Sequence, residues 1–425
     1  MKYLKPRGTT DIYGDDIDYF NYVCDTLKII AQLYSFKEMQ TPIFESKELF
    51  QKNIGTATDI VVKEFYDFKD KGNRDLVLRP EGTLSIARSV IENKLLYSNK
   101  LPLKYFYIGS MFRYERPQSG RQREFHQFGV EYISIKNVYQ QIEMIMLSIN
   151  ILNTFKLKKT TLKINYIGKL ETREKWINSL KKYFSKYKKE LSSDSVQRIN
   201  TNPLRILDDK LDSKKECVIN APKIDSFLTP EEIVERDEIL NILNKSKVEY
   251  VLDSNMVRGL DYYSGLVFEF ISNLEILNNQ STIIGGGKYE NMFSDMGEDN
   301  HACIGFALGI ERLIIALKDE NPLPPCNGVD VYFANITNDN FVPLIIISML
   351  RSSGISVDND FNISKLDKHF KFAEKISPKI ILIFGNKEKE DEKIIIKFQK
   401  TGKEKTVKLD NLAKEIQKFL KVNNK

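Results

Sequence analysis

Residues 112–131 read FRYERPQSGRQREFHQFGVE, with four arginines and three glutamates set among aromatic residues. The guanidinium group is planar, always charged and able to bind a phosphate through two parallel hydrogen bonds, so this composition points to phosphate recognition. Arg113 leaves one strand, and Arg121 sits in a turn from which it can reach a distal phosphate. Glu115 can hold an arginine in place or accept from a base amine, and Phe125 offers a ring for stacking. Far downstream, Arg312 follows the glycine-rich CIGFALGI at the start of a helical stretch, where a charge can point into a site; the duller reading pairs it with Glu311 on the surface.

The elements that must hold these residues follow from period and punctuation. Side chains on a strand alternate between faces. Phe106, Ile108, Phe112 and Tyr114 therefore share one face, while Gly109, Arg113 and Glu115 take the other. Beyond the turn-like PQSGRQ, His126, Phe128 and Val130 oppose Phe125, Gln127, Gly129 and Glu131. The expectation is a β-hairpin with one apolar and one charged face. The glycine on the charged face would mark close approach by a ligand or another backbone. An exposed hairpin carrying cross-strand ion pairs is the competing reading.

Other chemistries are poorly supplied. There is no GxxxxGK[ST] loop, and GGGK (285–288) lacks that spacing and reads as a turn. No nucleophile elbow is visible. Cys24, Cys217, Cys303 and Cys326 stand far apart, with only three histidines in the chain, which argues against a structural zinc site and for reduced thiols in a cytosolic protein. No targeting segment is evident at the start, and the longest apolar run, VPLIIISML, is too short to span a bilayer.

The 425 residues are 42% hydrophobic, enough for two or three folded domains. Residues 331–425 hold 18 Lys/Arg against 12 Asp/Glu, a net +6 that equals the charge of the whole chain. A basic terminal domain on a neutral body suits a polyanion, although mixtures such as NKEKEDEK also form ordinary solvated faces. A helix over 15–36, a strand at DLVLRPEGT stopped by Pro80, and Thr83 capping the next helix precede the hairpin. Lysine-rich helical segments over 165–250 read as an insertion or cap. NPLPPCNG is the clearest linker, and beyond it strand-like and helical stretches alternate as in a small α/β domain.

Taken together, LRPEGT (78–83), the 112–131 hairpin, VRGLDYYSG (257–265), GGGKYENM (285–292) and GFALGIERL (305–313) resemble, in order, motifs of the histidyl-tRNA synthetase family of class II aminoacyl-tRNA synthetases. PRGTTDIYG and TNPLRILD add to the resemblance, which covers essentially the whole chain. It implies an α+β fold: an antiparallel six-stranded catalytic sheet flanked by helices over 1–325, including the 165–250 helical insertion, and a C-terminal α/β anticodon-binding domain over 326–425. It implies a homodimer, cytoplasmic and without membrane association. It also implies that L-histidine reacts with ATP, accompanied by Mg2+, to histidyl-adenylate and pyrophosphate, and that histidine then passes to the 3′-end of tRNA(His).

By the same resemblance, Arg113 and Arg258 are catalytic. Arg113 meets the α-phosphate, Arg121 and Arg312 the γ-phosphate; Phe125 stacks on adenine, with Glu115 and Glu131 also on the ATP side. Glu81, Gly82, Thr83, Gln127, Glu131, Arg258, Tyr262, Tyr263 and Tyr289 hold histidine. Taken singly, Glu81 and Thr83 are also explained by helix capping, and the three tyrosines by a satisfied core. Lys288, Glu290 and Leu266 depart from the usual Arg, Asp and Thr, and no RNA-contacting residue can be assigned in the last domain. A ring with both donor and acceptor is selectable without editing, so no editing domain is expected. The rival is a catalytically silent histidine-sensing regulatory subunit of ATP phosphoribosyltransferase, which shares the fold but lacks the terminal domain. The basic last domain, with Arg113, Arg258 and Arg312 in place, speaks for the synthetase.

Overall fold

The computed structural model describes residues 3–53, 61, 63–98, 100–209, 211–257, 260, 262–323 and 329–423. The chain forms two compact units, Met1–Leu323 and Pro324–Lys425. In the first, eight strands form one sheet: β1 (Lys37–Glu38), β5 (Leu103–Phe112), β6 (Glu124–Ile133), β7 (Thr160–Tyr166), β8 (Val251–Leu252), β9 (Tyr263–Ser272), β10 (Thr282–Tyr289) and β11 (Cys303–Gly309). Their spatial order is β1-β5-β6-β11-β10-β9-β7-β8. The six middle strands pair antiparallel, as expected; each edge carries one further two-residue strand paired parallel, giving eight. A smaller sheet of β2 (Phe44–Ser46), β4 (Asp75–Leu78) and β3 (Asp67–Lys69) lies within the same unit.

The hairpin is β5 and β6, paired from Leu103↔Ile133 to Phe112↔Glu124. One face enters the main core with Phe106, Phe128 and Val130, joined by Phe268, Ile284, Ile304 and Phe306 from neighbouring strands. The other face is not simply a charged surface. Tyr107, Met111 and Ile133 on it are buried in a second core with Leu84, Val90, Tyr289 and Phe293. Both faces are therefore covered over part of the length, and only the turn-proximal end of the second face stays polar and lines a cavity. Gly285, Gly286 and Gly287 lie inside β10, not in a turn, between β9 and β11. A side chain on Gly286 would meet the Gly305 carbonyl at 2.3 Å, so close strand packing explains a glycine there that sequence alone reads as punctuation.

The described residues between 170 and 245 are mainly helical, with main segments Leu170–Phe184, Ser193–Thr201 and Pro230–Lys245. Trp176 is fully buried in the main core and donates its indole N–H to the Pro222 carbonyl at 2.7 Å, so the segment shares the core of the sheet. Cys24, Cys217 and Cys303 are free and buried; Cys326 lies outside the described residues.

The second unit is a five-stranded sheet, β13-β12-β14-β15-β16, of β12 (Val331–Asn335), β13 (Val357–Asn359), β14 (Ile380–Phe384), β15 (Lys393–Phe398) and β16 (Glu404–Lys408). The first three run parallel and the last two antiparallel. The run IILIF of β14 is buried throughout, Ile380, Leu382 and Phe384 on one face and Ile381 and Ile383 on the other, as a central strand requires. VPLIIISML lies in the helix Phe341–Ser352, and no described helix is long and apolar enough to cross a membrane.

Candidate active site

A cavity of about 280 Å³ opens where β5, β6, β9, β10 and β11 meet the starts of the helices Thr83–Glu92 and Ile310–Glu320. Glu81, Thr83, Arg113, Glu115, Arg121, Phe125, Gln127, Tyr262, Tyr263 and Arg312 all line it, although up to 231 residues separate them in sequence. The two sheet faces explain the convergence: β6 sends Phe125 and Gln127 to the cavity side, while the C-terminal end of β11 delivers the helix Ile310–Glu320, whose first turn carries Glu311 and Arg312.

One half of the cavity is cationic. Arg113 donates to the Pro80 carbonyl at 2.9 Å and lies 5.3 Å from the centre of the Phe125 ring. Arg121 ion-pairs with the buried Glu115. Arg312 donates to the carbonyls of Gly120 and Thr282, each at 2.8 Å. Burial, together with repulsion from Arg121 and Arg113, pulls the Arg312 guanidinium down to about 10. Burial likewise lowers Arg113, with Glu64 and Glu81 acting against the shift. Backbone carbonyls orient Arg113 and Arg312 while Glu115 holds Arg121, which gathers three guanidinium groups in a place suited to a polyanion.

The other half holds two buried carboxylates served by neutral donors. Glu81 accepts from the backbone N–H groups of Thr83 at 2.8 Å and Leu84 at 2.9 Å. Glu131 accepts from the Thr83 hydroxyl at 2.7 Å and from the Tyr289 hydroxyl at 2.7 Å. Burial raises both, Glu131 to about 8, where its two hydroxyl donors oppose the rise and the nearby Glu81 adds to it. Tyr262 stands with its ring 4.7 Å from that of Tyr263 and 5.7 Å from that of Tyr289. Such a pocket calls for a ligand bearing positive charge or N–H donors.

Residues 8–313 match the family model described as histidyl-tRNA synthetase, and residues 344–419 that of the anticodon binding domain. The chain belongs to the histidyl-tRNA synthetase family. It is 51% identical over 421 residues to the histidine--tRNA ligase of Malacoplasma penetrans, covering 99% of each chain, and 45% identical over 415 residues to that of Ureaplasma urealyticum, covering 97% and 99%. Among solved structures, the apo histidyl-tRNA synthetase of S. aureus aligns with a TM-score of 0.81 at 32% identity, over 97% of this chain and 99% of that one.

Most of the positions that the family resemblance singles out thus converge on one cavity. Glu131 and Tyr289 join it through hydrogen bonds, and Gly82 sits between Glu81 and Thr83, where an added side chain would lie 2.3 Å from the Tyr107 ring. Arg258 lies outside the described residues. Two expectations need correction, and one competing reading falls. Thr83 does not cap the helix Thr83–Glu92: it is the first helical residue, the Glu81 carboxylate takes the free N–H groups, and the Thr83 hydroxyl is spent on Glu131. Gly109 does not admit a ligand; its missing side chain makes room for Arg79, whose terminal nitrogen would lie 2.2 Å from an added Cβ. Glu311 does not form the surface pair with Arg312, because its carboxylate accepts from the His126 backbone N–H at 3.0 Å and contacts the ring Nδ1 at 2.7 Å.

Sequence reasoning also missed contributors. Arg79 is buried and donates to the carbonyls of Ser110 at 2.9 Å and Thr41 at 3.0 Å, fixing the strand that leads into LRPEGT. The Tyr107 ring fills the space over Gly129, where an added Cβ would lie 2.0 Å away. Glu269 lines the arginine half and accepts from the Thr282 hydroxyl at 3.1 Å. In FEFI Glu269 alternates with Phe268 and Phe270, and nothing in the sequence separates it from an ordinary outward-facing glutamate.

Proposed function

We propose that this chain is a histidine--tRNA ligase: it activates L-histidine with ATP to histidyl-adenylate, releasing pyrophosphate, and transfers histidine to the 3′-end of tRNA(His). The observation that carries the reading is one cavity with three guanidinium groups at one end and the Glu81–Thr83–Glu131–Tyr289 hydrogen-bond system at the other. ATP supplies the polyanion and histidine the ammonium and ring N–H. The silent regulatory-subunit reading is not favoured, since the chain carries an anticodon-type domain and matches curated ligases over nearly its full length.

In this mechanism the histidine carboxylate attacks the α-phosphorus in line. The attacking oxygen forms its bond to phosphorus while the bond to the pyrophosphate oxygen breaks. Charge develops on the non-bridging oxygens. Arg113 and Arg258 meet the α-phosphate, and Arg258 also orients the carboxylate. Arg121 and Arg312 hold the γ-phosphate, Phe125 stacks on adenine beside Glu115, and Gln127, Tyr262, Tyr263 and Tyr289 frame histidine. Catalysis then rests on positioning and on dipoles already oriented before the reaction. Mg2+ enters with ATP, and the donor set fits it: a hard cation needs only one or two carboxylates beside phosphate oxygens, and Glu269 borders the arginine half. When bound it neutralises phosphate charge. The first unit would perform activation and the second would bind the tRNA anticodon, in a cytoplasmic homodimer.

Histidine-dependent ATP–pyrophosphate exchange, measured with each of the twenty amino acids and no tRNA, tests the reading. Exchange with histidine alone is expected. Tight histidine binding without exchange would replace the ligase by the sensor.

A further inference from the structure

Lys288 stands in GGGKYENM, on the strand that carries Tyr289, yet it faces away from the cavity. Its ammonium lies 2.8 Å from a carboxylate oxygen of Glu290 and 2.8 Å from one of Glu235 on the helix Pro230–Lys245. Glu235 is further fixed by the Tyr166 hydroxyl at 2.9 Å and the Gln141 amide at 2.9 Å. The Lys288 stem runs across Gly265, whose positive φ of 67° and absent side chain let it pass. A second tie comes from the helix Leu170–Phe184, where Arg173 donates to the Tyr263 carbonyl. Independently of the helical segment, Lys163 of β7 meets Asp253 at 2.9 Å and the Asn165 amide donates to the Met256 carbonyl at 2.9 Å, just ahead of VRGLDYYSG. The helical segment 170–245 therefore grips, from behind the sheet, the two strands that carry the tyrosines.

We propose that Lys288 and Arg173 are positioning residues that let the helical segment set the geometry of the amino-acid pocket, with Glu235 as the anchor. This rests on the reading of Tyr262, Tyr263 and Tyr289 as the histidine site. The substituents are chemically suited to such work. Lys288 is buried to 7% exposure between two carboxylates, so its charge cannot be lost without leaving them uncompensated. Arg173 acts on a backbone carbonyl, so it fixes Tyr263 whatever side chain that position carries. No tie of this kind reaches the arginine half from the same segment among the described hydrogen bonds, so the effect should be confined to the amino-acid end of the cavity.

The experiment is ATP–pyrophosphate exchange on the full chain with Lys288→Met, Lys288→Arg and Arg173→Gln, with KM measured separately for histidine and ATP. Lys288→Met is expected to raise KM for histidine roughly tenfold, the size of a typical interaction energy within one charged network, with KM for ATP within about twofold. Lys288→Arg keeps the charge and is expected to restore the wild-type value. Arg173→Gln, which leaves no buried charge, is expected to shift histidine alone in the same direction and serves if Lys288→Met fails to fold. An unchanged KM for histidine in Arg173→Gln, or equal rises for both substrates, would overturn the proposal. Absence of histidine-dependent exchange in the wild-type chain would instead defeat the ligase reading on which it stands.

Discussion

The two ends of the cavity solve opposite electrostatic problems. At the arginine end, guanidinium groups are held in place, Arg113 and Arg312 against carbonyl oxygens of Pro80, Gly120 and Thr282 and Arg121 against the Glu115 carboxylate. At the other end, backbone N–H groups and hydroxyls serve Glu81 and Glu131, and burial favours the neutral acids. The first end is preorganised to receive charge that develops during reaction. At the second, a bound cation or N–H donor opposes what burial does to a carboxyl group. A substrate pair that is anionic at one end and cationic at the other completes both at once.

If that division holds, damage at the arginine end should act on turnover and damage at the carboxylate end on affinity for the amino acid. The largest effect is expected for Arg258→Ala, which should abolish pyrophosphate exchange while the far-UV circular dichroism and melting curve stay those of the wild type. Near-normal exchange in a folded variant would remove Arg258 from the mechanism. Arg312→Ala should lower kcat by about 10²–10³, the usual cost of one transition-state donor, with KM for histidine nearly unchanged. Deleting residues 326–425 asks whether both ends belong to the first unit alone. Exchange should persist while charging of tRNA(His) collapses, and equal charging without the domain would exclude it as an RNA contact.

Glu131→Gln sharpens the comparison through pH. Burial raises the Glu131 carboxyl from an ordinary 4.5 in the unfolded chain to about 8 in the fold. Between these values the folded chain holds the proton and the unfolded chain does not, so this group makes stability fall as pH rises from about 4.5 to about 8. In urea unfolding between pH 5 and pH 8, Glu131→Gln should show the shallower decline; parallel curves would mean the carboxyl is already ionised in the empty pocket. The smallest effect belongs to the scaffold between the two ends. Gly109→Ala should destabilise by about 1–3 kcal/mol through displacement of Arg79, as overpacking does, and leave the substrate KM values close to wild type.

Much of this site was legible because its chemistry is carried by residue type. Arginines among aromatics point to a phosphate site, and period two puts Phe125 and Gln127 on one face of their strand and His126 on the other, as the pairing of β5 with β6 has it. Glycines were legible only as places where something comes close. What came close was Arg79 at Gly109 and the Tyr107 ring at Gly82 and Gly129, and a single chain carries no sign of which side chain will fill a gap. The helix start at Thr83 shows the same limit. Glu81 and Thr83 both suit a helix terminus, and the choice between them was made by Glu131, 48 residues on, which claims the Thr83 hydroxyl.

The sequence by itself determined the strand and helix types, the two-unit organisation with its basic terminal unit, and the set of charged groups from which the site is built. These depend on periodicity, turn residues and side-chain chemistry, which act over a few residues. The tertiary structure alone decided the partners: Glu311 with His126 instead of Arg312, the second core over the charged face of the hairpin, and Lys288 gripped by Glu235 across 53 residues. Pairing at such separations is settled by sheet register and packing, since a buried charge takes whichever partner the closed fold places within hydrogen-bond reach.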